Sequence, residues 1–240
     1  VRWDYSRSGN PTREYLEKQI ASLEHGSNGY AFASGMAAIH AALSIFEPGD
    51  HIIIGNQIYG GTYRLIKEYF EVRGIEFTSV DTKVNAEVEA AIQDNTKAIY
   101  FEPVTNPLLQ VTSVRAIANI AQAHDLLTIV DNTFLTPYLQ QPLDLGADIV
   151  VHSATKYLGG HSDVIAGLVV TKNETIGKQI YFVQNALGGV LSPENANLVR
   201  RGIQTLSIRM DRQQENACKI IDFLNESGQV DTIHYPGIKG

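Results

Sequence analysis

A single cysteine, Cys218, among 240 residues leaves no partner for an internal disulfide and too few thiols for a cysteine-built zinc site. No apolar run approaches the roughly 20 residues that a membrane-crossing helix needs. Blocks of Lys and Arg are also missing, and 19 basic against 26 acidic side chains give a formal charge of −7. That balance sets aside nucleic acid and membrane as partners, although a local basic pocket can still hold a small phosphate. Neither G-x-x-x-x-G-K-S/T nor G-x-G-x-x-G occurs, so the usual nucleotide-phosphate fingerprints are lacking. No internal repeat or low-complexity tract interrupts the chain, and its 20 glycines and 8 prolines are scattered. These absences leave a globular chain suited to a reducing, cytoplasmic setting and read as one continuous domain.

Short apolar runs are what the sequence does have: HIIIG from residue 51, EFTSV from 76, KAIYFE from 97, LLTIVD from 126, DIVVH from 148 and GLVVT from 167. Between them lie helical patterns, such as Val114, Ile117, Ala118 and Ala121 behind a Ser113 cap. Strands alternating with helices predict an α/β fold with a mainly parallel sheet. Because the strand runs are continuously apolar rather than alternating, helices should sandwich the sheet on both faces. Ligands of such sheets bind at the carboxyl ends of the strands. Polar residues gather there: Asp131 ends one run, Asn106 follows another, Tyr59 lies past a third, and SATK follows IVVH.

That last junction, VVHSATKYLGGHSD over residues 150–163, is the most unusual stretch. A lysine is seldom placed at the mouth of a core strand, and its ordinary role there is a solvated loop charge. Other residues change the balance. YAFASGMAAIHAALSIF reads as a strand, then Ser34-Gly35-Met36, then a helix with Met36, Ile39, Leu43 and Phe46 on one face. Gly35 permits close backbone approach, and the start of the helix attracts an anion. Ser34 by itself is an ordinary N-cap, but Ser153 and Thr155 are alternate hydroxyls beside Lys156 that can serve the same phosphate. Lysine, phosphate cup and strand-end carboxylate form the set that pyridoxal 5'-phosphate requires. The lysine forms a Schiff base, and an acid keeps the pyridine nitrogen protonated. Asp131 is the candidate acid, with a simple strand cap as its plainer role, and Tyr59 can stack on the ring. His152 and His161 flank the lysine without a metal-ligand spacing, so no metal site is expected. Cys218, among helical residues, reads as a buried small side chain.

Seven segments carry a family resemblance: YSRSGNPT from residue 5, SGMAAI from 34, YGGTY from 59, EPVTNP from 102, VDNTF from 130, HSATKYLGGHSD from 152 and RGIQTLSIRM from 201. Together they resemble the Cys/Met-metabolism family of pyridoxal-phosphate enzymes, nearly end to end. The resemblance implies the large domain of the fold-type I (aspartate aminotransferase-like) enzymes over residues 1–240, with an amino-terminal arm and without the smaller carboxyl-terminal domain. It places Lys156 at the Schiff-base position, Asp131 against the pyridine nitrogen and Tyr59 on the ring face. Gly35, Met36, Ser153 and Thr155 match the phosphate cup, and Asn106 a position near the ring hydroxyl and substrate carboxylate. Tyr5 and Arg7 match a pair that reaches the neighbouring subunit's phosphate, which implies a homodimer or a dimer-of-dimers tetramer with shared active sites. The arginine that grips the substrate carboxylate in the family falls beyond Gly240.

The implied activity is a carbon–sulfur lyase acting on a small-molecule sulfur amino acid. Its first expectation is γ-elimination of cystathionine to cysteine, 2-oxobutanoate and ammonia, with Lys156 and Tyr59 as the catalytic groups. γ-Replacement, as in a cystathionine γ-synthase, and β-elimination, as in a β-lyase, are the alternatives. A remoter one is a binding protein that keeps the cofactor fold without catalysis. Methionine γ-lyases typically carry cysteine where Gly61 stands, so that branch is disfavoured.

Overall fold

Ile52, Ile53 and Ile54 are consecutive and all buried, although successive strand side chains point to opposite faces. The strand is therefore covered on both sides, as are the runs Ile99-Tyr100-Phe101 and Ile149-Val150-Val151. The computed structural model describes residues 3–238; the outermost residues of the expected 1–240 domain, Val1, Arg2, Lys239 and Gly240, lie outside the described residues.

Among the described residues seven strands form one sheet: β1 (Asn28–Phe32), β2 (His51–Gly55), β3 (Glu76–Val80), β4 (Thr96–Phe101), β5 (Leu127–Asp131), β6 (Ile149–Ser153) and β7 (Gly167–Thr171). Their order is β1-β7-β6-β5-β4-β2-β3. Pairing is parallel from β3 through β6, while β7 runs antiparallel to both β6 and β1. The sheet is thus mainly parallel, as expected, with one reversed strand. The reversal has a consequence for the site. Gly167, which starts β7, pairs with Ser153 at the end of β6 and with Phe32 at the end of β1. Three chain segments thereby meet at the edge where the parallel strands finish.

The helices are α1 (Pro11–Leu23), α2 (Gly35–Leu43), α3 (Gly60–Leu65), α4 (Asn85–Ala90), α5 (Val114–Ala123), α6 (Thr136–Leu139), α7 (Glu174–Leu187), α8 (Pro193–Ile203) and α9 (Leu206–Ser227). Alternate strand residues feed two core layers. Ile53, Ile99, Phe101, Val130 and Val150 pack with Leu16 and Ile20 of α1, Ile117 of α5 and Val199 of α8. On the other face Ile52, Ile54, Tyr100, Ile129 and Val151 pack with Ile39 and Leu43 of α2 and Ile180 of α7. Each such aliphatic side chain contributes about 1.5–3 kcal/mol on burial, which stabilises the sheet that carries the site.

The caps follow side-chain chemistry. The Ser113 hydroxyl accepts from the Ala116 N–H at 3.3 Å, as the sequence predicts, and the Ser34 hydroxyl accepts from the Ala37 N–H at 3.0 Å. Helix α2 stops at Leu43, so Phe46 lies past its end although it packs against the same layer. One expectation is corrected: Cys218 is exposed. Its helix α9 buries Leu206 and Met210 and leaves the face around Cys218 uncovered.

Candidate active site

The carboxyl ends of β4, β5 and β6 and the loop after β2 open onto a cavity of about 1070 Å³. Gly35 and Met36 line it from the start of α2, and Tyr59 from the residue before α3. Asn106 reaches it from the loop after β4, Asp131 and Ser153 from the last positions of β5 and β6, and Thr155 and Lys156 from the turn after β6. Eight of the ten residues singled out from sequence are thus neighbours in space. Tyr5 and Arg7 are not brought to this cavity. The Arg7 guanidinium donates to the Asn185 carbonyl oxygen and side chain and lies 5.1 Å from the Tyr5 ring centroid.

Close approach at Gly35 shapes the start of α2 where it borders the cavity. A Cβ there would come within 2.8 Å of Ser153 Cβ and 2.9 Å of its Oγ, so the first turn of α2 is pressed against the end of β6. The opening N–H groups of an α-helix lie outside its internal ladder, and the helix dipole favours negative charge beside them. Thr155 is partly engaged elsewhere: its Oγ1 accepts from the Ala166 N–H at 3.1 Å and donates to the Ala166 carbonyl at 3.3 Å. The latter is long for a hydroxyl donor, so rotation releases the proton easily.

Asp131 is only 9% exposed and is held from two sides. Its Oδ1 accepts from the Thr133 N–H at 3.1 Å and the Thr133 hydroxyl at 2.5 Å, and its Oδ2 accepts from the Tyr100 hydroxyl at 3.3 Å. Thr133 Oγ1 also accepts from the Ser153 N–H at 2.8 Å, tying the β5 and β6 ends together. Burial, followed by the charges of Asp131 and Glu102, pushes the Tyr100 phenol well above its usual range, so it stays a donor.

A second buried carboxyl, Glu102, also lines the cavity. Its Oε1 accepts from the Tyr59 N–H at 2.5 Å, and the Asn106 N–H also serves this carboxyl. Burial, then repulsion from Asp131, pushes Glu102 up to about 8; the two N–H bonds act in the opposite direction and only partly offset this. Near neutral pH Glu102 therefore keeps its proton beside Asp131. Sequence reading quoted Glu102 and Thr133 within motifs without assigning them work. A strand-end carboxylate followed by Pro was the available signal for the first.

Comparison with known proteins gives one consistent result. The family model described as "Cys/Met metabolism PLP-dependent enzyme" matches residues 1–240. The chain belongs to that family. A Lactococcus lactis protein named cystathionine β-lyase is 55% identical over 236 residues, 98% of this chain and 62% of the relative. A Bacillus subtilis protein named cystathionine γ-lyase is 54% identical with the same two shares. Among solved structures, cystathionine γ-lyase from Lactobacillus plantarum complexed with L-serine superposes with a TM-score of 0.98 at 56% identity, covering 99% of this chain and 62% of that one. This chain therefore spans 62% of the length of these relatives. The family's cofactor, pyridoxal 5'-phosphate, suits the groups present: a lysine, a buried carboxylate and a helix N-terminus beside hydroxyls share one cavity. Among the described residues no His, Cys, Asp and Glu cluster suited to a metal ion is found, and no helix is long and apolar enough to cross a membrane.

Proposed function

We propose that this chain supplies the cofactor half of a carbon–sulfur lyase that cleaves cystathionine by γ-elimination, consuming one water and giving cysteine, 2-oxobutanoate and ammonia. The observation that carries the reading is the meeting of Lys156, Asp131 and the α2 N-terminus around one cavity from three separate strand ends. Pyridoxal phosphate supplies an electron sink for a carbanion beside the substrate amine. Lys156 would hold it through Nζ, Asp131 would keep its ring nitrogen protonated, and Tyr59, 54% exposed, would cover the ring face. Gly35, Met36, Ser153 and Thr155 would seat the phosphate, with Asn106 beside the ring hydroxyl and substrate carboxylate.

Lys156, its Nζ freed when the substrate amine takes its place, would then move protons, taking one from the substrate α-carbon and returning one farther along the chain. Tyr59 or Lys156 would protonate the departing thiolate. Thr133 and Tyr100 hold Asp131 at a fixed angle throughout. Tyr5 and Arg7 complete a neighbouring subunit's phosphate site, in a homodimer or tetramer built on two-fold contacts. The cell compartment that fits is the cytoplasm.

β-Elimination, which yields pyruvate, is the second reading, and the 55% identical Lactococcus relative named β-lyase favours it. Incubating the intact protein with cystathionine and identifying the 2-oxo acid decides between them. Dominant 2-oxobutanoate supports γ-elimination, and dominant pyruvate refutes it.

A further inference from the structure

The segment RGIQTLSIRM stands far from Lys156 in sequence, yet one of its side chains ends on the lysine turn. Residues after β6 form a tight helical turn in which the Gly159 N–H donates to the Ala154 carbonyl and the Gly160 N–H to the Lys156 carbonyl, each at 2.8 Å. Gly160 then turns the chain away with φ of 77°. The carbonyls of such a final turn have no partner within it. Arg209, half-buried in the first turn of α9, supplies one. Its Nη1 donates to the Tyr157 carbonyl at 2.8 Å, its Nη2 to the Gly202 carbonyl at 2.8 Å and its Nε to the Thr205 hydroxyl at 3.1 Å. The fit is tight on both sides. A Cβ on Gly160 would overlap the guanidinium, and one on Gly202 would overlap the Gly159 carbonyl oxygen.

We propose that Arg209 is a positioning residue for Lys156: its guanidinium caps the turn that carries the lysine, ties that turn to the α8–α9 junction, and so sets the direction of the Lys156 side chain in the cavity. The proposal rests on the proton-moving role given to Lys156 above. Arginine is suited to this because one rigid fork serves two carbonyls at fixed spacing, whereas a lysine ammonium acts as a single point donor. A small displacement of a base from its proton lowers the rate without changing how substrate is held.

The test uses the intact protein and the variants Arg209→Ala and Arg209→Lys. Both should lose about 10- to 100-fold in kcat on cystathionine, with KM changed by less than about threefold. In cofactor-free protein the Gly159 and Gly160 amides should exchange with deuterium on the order of tenfold faster. Added guanidinium ion at millimolar concentration should restore both properties in Arg209→Ala. Unchanged kcat overturns the proposal, even if exchange is faster. Loss of kcat that guanidinium does not rescue also overturns it, since general damage then explains the loss. If Arg209→Ala fails to fold, Arg209→Lys keeps the aliphatic stem, and wild-type kcat in that variant overturns the need for a fork. Borohydride labelling of the wild type separates this proposal from the reading beneath it. Label on Lys156 with unaltered Arg209→Ala kcat removes the clamp alone, and label on another lysine removes both.

Discussion

Replacing Glu102 by glutamine should flatten the fall in stability that the wild-type protein shows as pH rises toward 8. In the unfolded chain a glutamate releases its proton near 4.5, whereas burial and Asp131 keep the folded Glu102 protonated to about 8. Between those values the folded state binds one proton more than the unfolded state. Stability is therefore fullest below the unfolded value and declines through the window at up to about 1.4 kcal/mol per pH unit. Glutamine keeps a side-chain oxygen for the Tyr59 and Asn106 N–H groups but carries no titrating proton. The difference between the two proteins cancels every other titration they share. From about pH 5.5 to about pH 7.5 the variant should gain roughly 2–3 kcal/mol relative to wild type. Denaturant unfolding of the cofactor-free intact protein, at one protein concentration and several pH values, measures it. Parallel pH slopes for the two proteins would show that Glu102 ionises normally and that its pairing with Asp131 has been misjudged.

Three further outcomes are expected. Borohydride reduction of the holoenzyme should attach the cofactor to Lys156, read by peptide mapping, and Lys156→Ala should take no label and show no turnover. Asp131→Ala should lower kcat by about 10²–10³-fold while cofactor still binds, if its carboxylate holds the ring proton as proposed; near-normal turnover would reduce Asp131 to a strand cap. Under the proposed shared-site dimer, Arg7→Ala and Lys156→Ala should each be inactive alone and regain activity when coexpressed, since a mixed dimer would contain one site free of both defects; mixed dimers verified by mass spectrometry but inactive would count against shared sites.

The seven strand runs and the two-sided burial of the sheet were legible because each depends on residues adjacent in sequence: three isoleucines in a row at positions 52–54 can be buried only if helices cover both faces. That Lys156, Asp131, Ser153 and Gly35 share one cavity was foreshadowed for a related reason: Asp131 and Ser153 end strands, Gly35 starts a helix and Lys156 follows a strand end by three residues, where polar side chains and backbone N–H groups stand outside the regular ladders. The reversed direction of β7 was not legible, because a continuously apolar strand reads alike in either direction. Nor was the exposure of Cys218, which depends on what packs against α9 rather than on the helical pattern around it.

Chemical type and position along the chain were therefore determined by sequence, down to which residues stand at the mouths of strands. Partnership was decided only by the tertiary structure. Tyr59 and Glu102 are 43 positions apart, and Arg209 and Tyr157 are 52 apart. Those contacts exist because the order of strands in the sheet and the seating of α9 bring the groups within hydrogen-bond range. The elevated proton affinity of Glu102 follows from the same placement, for it needs both removal from water and a second carboxylate nearby, and neither is a property of the residues around it in sequence.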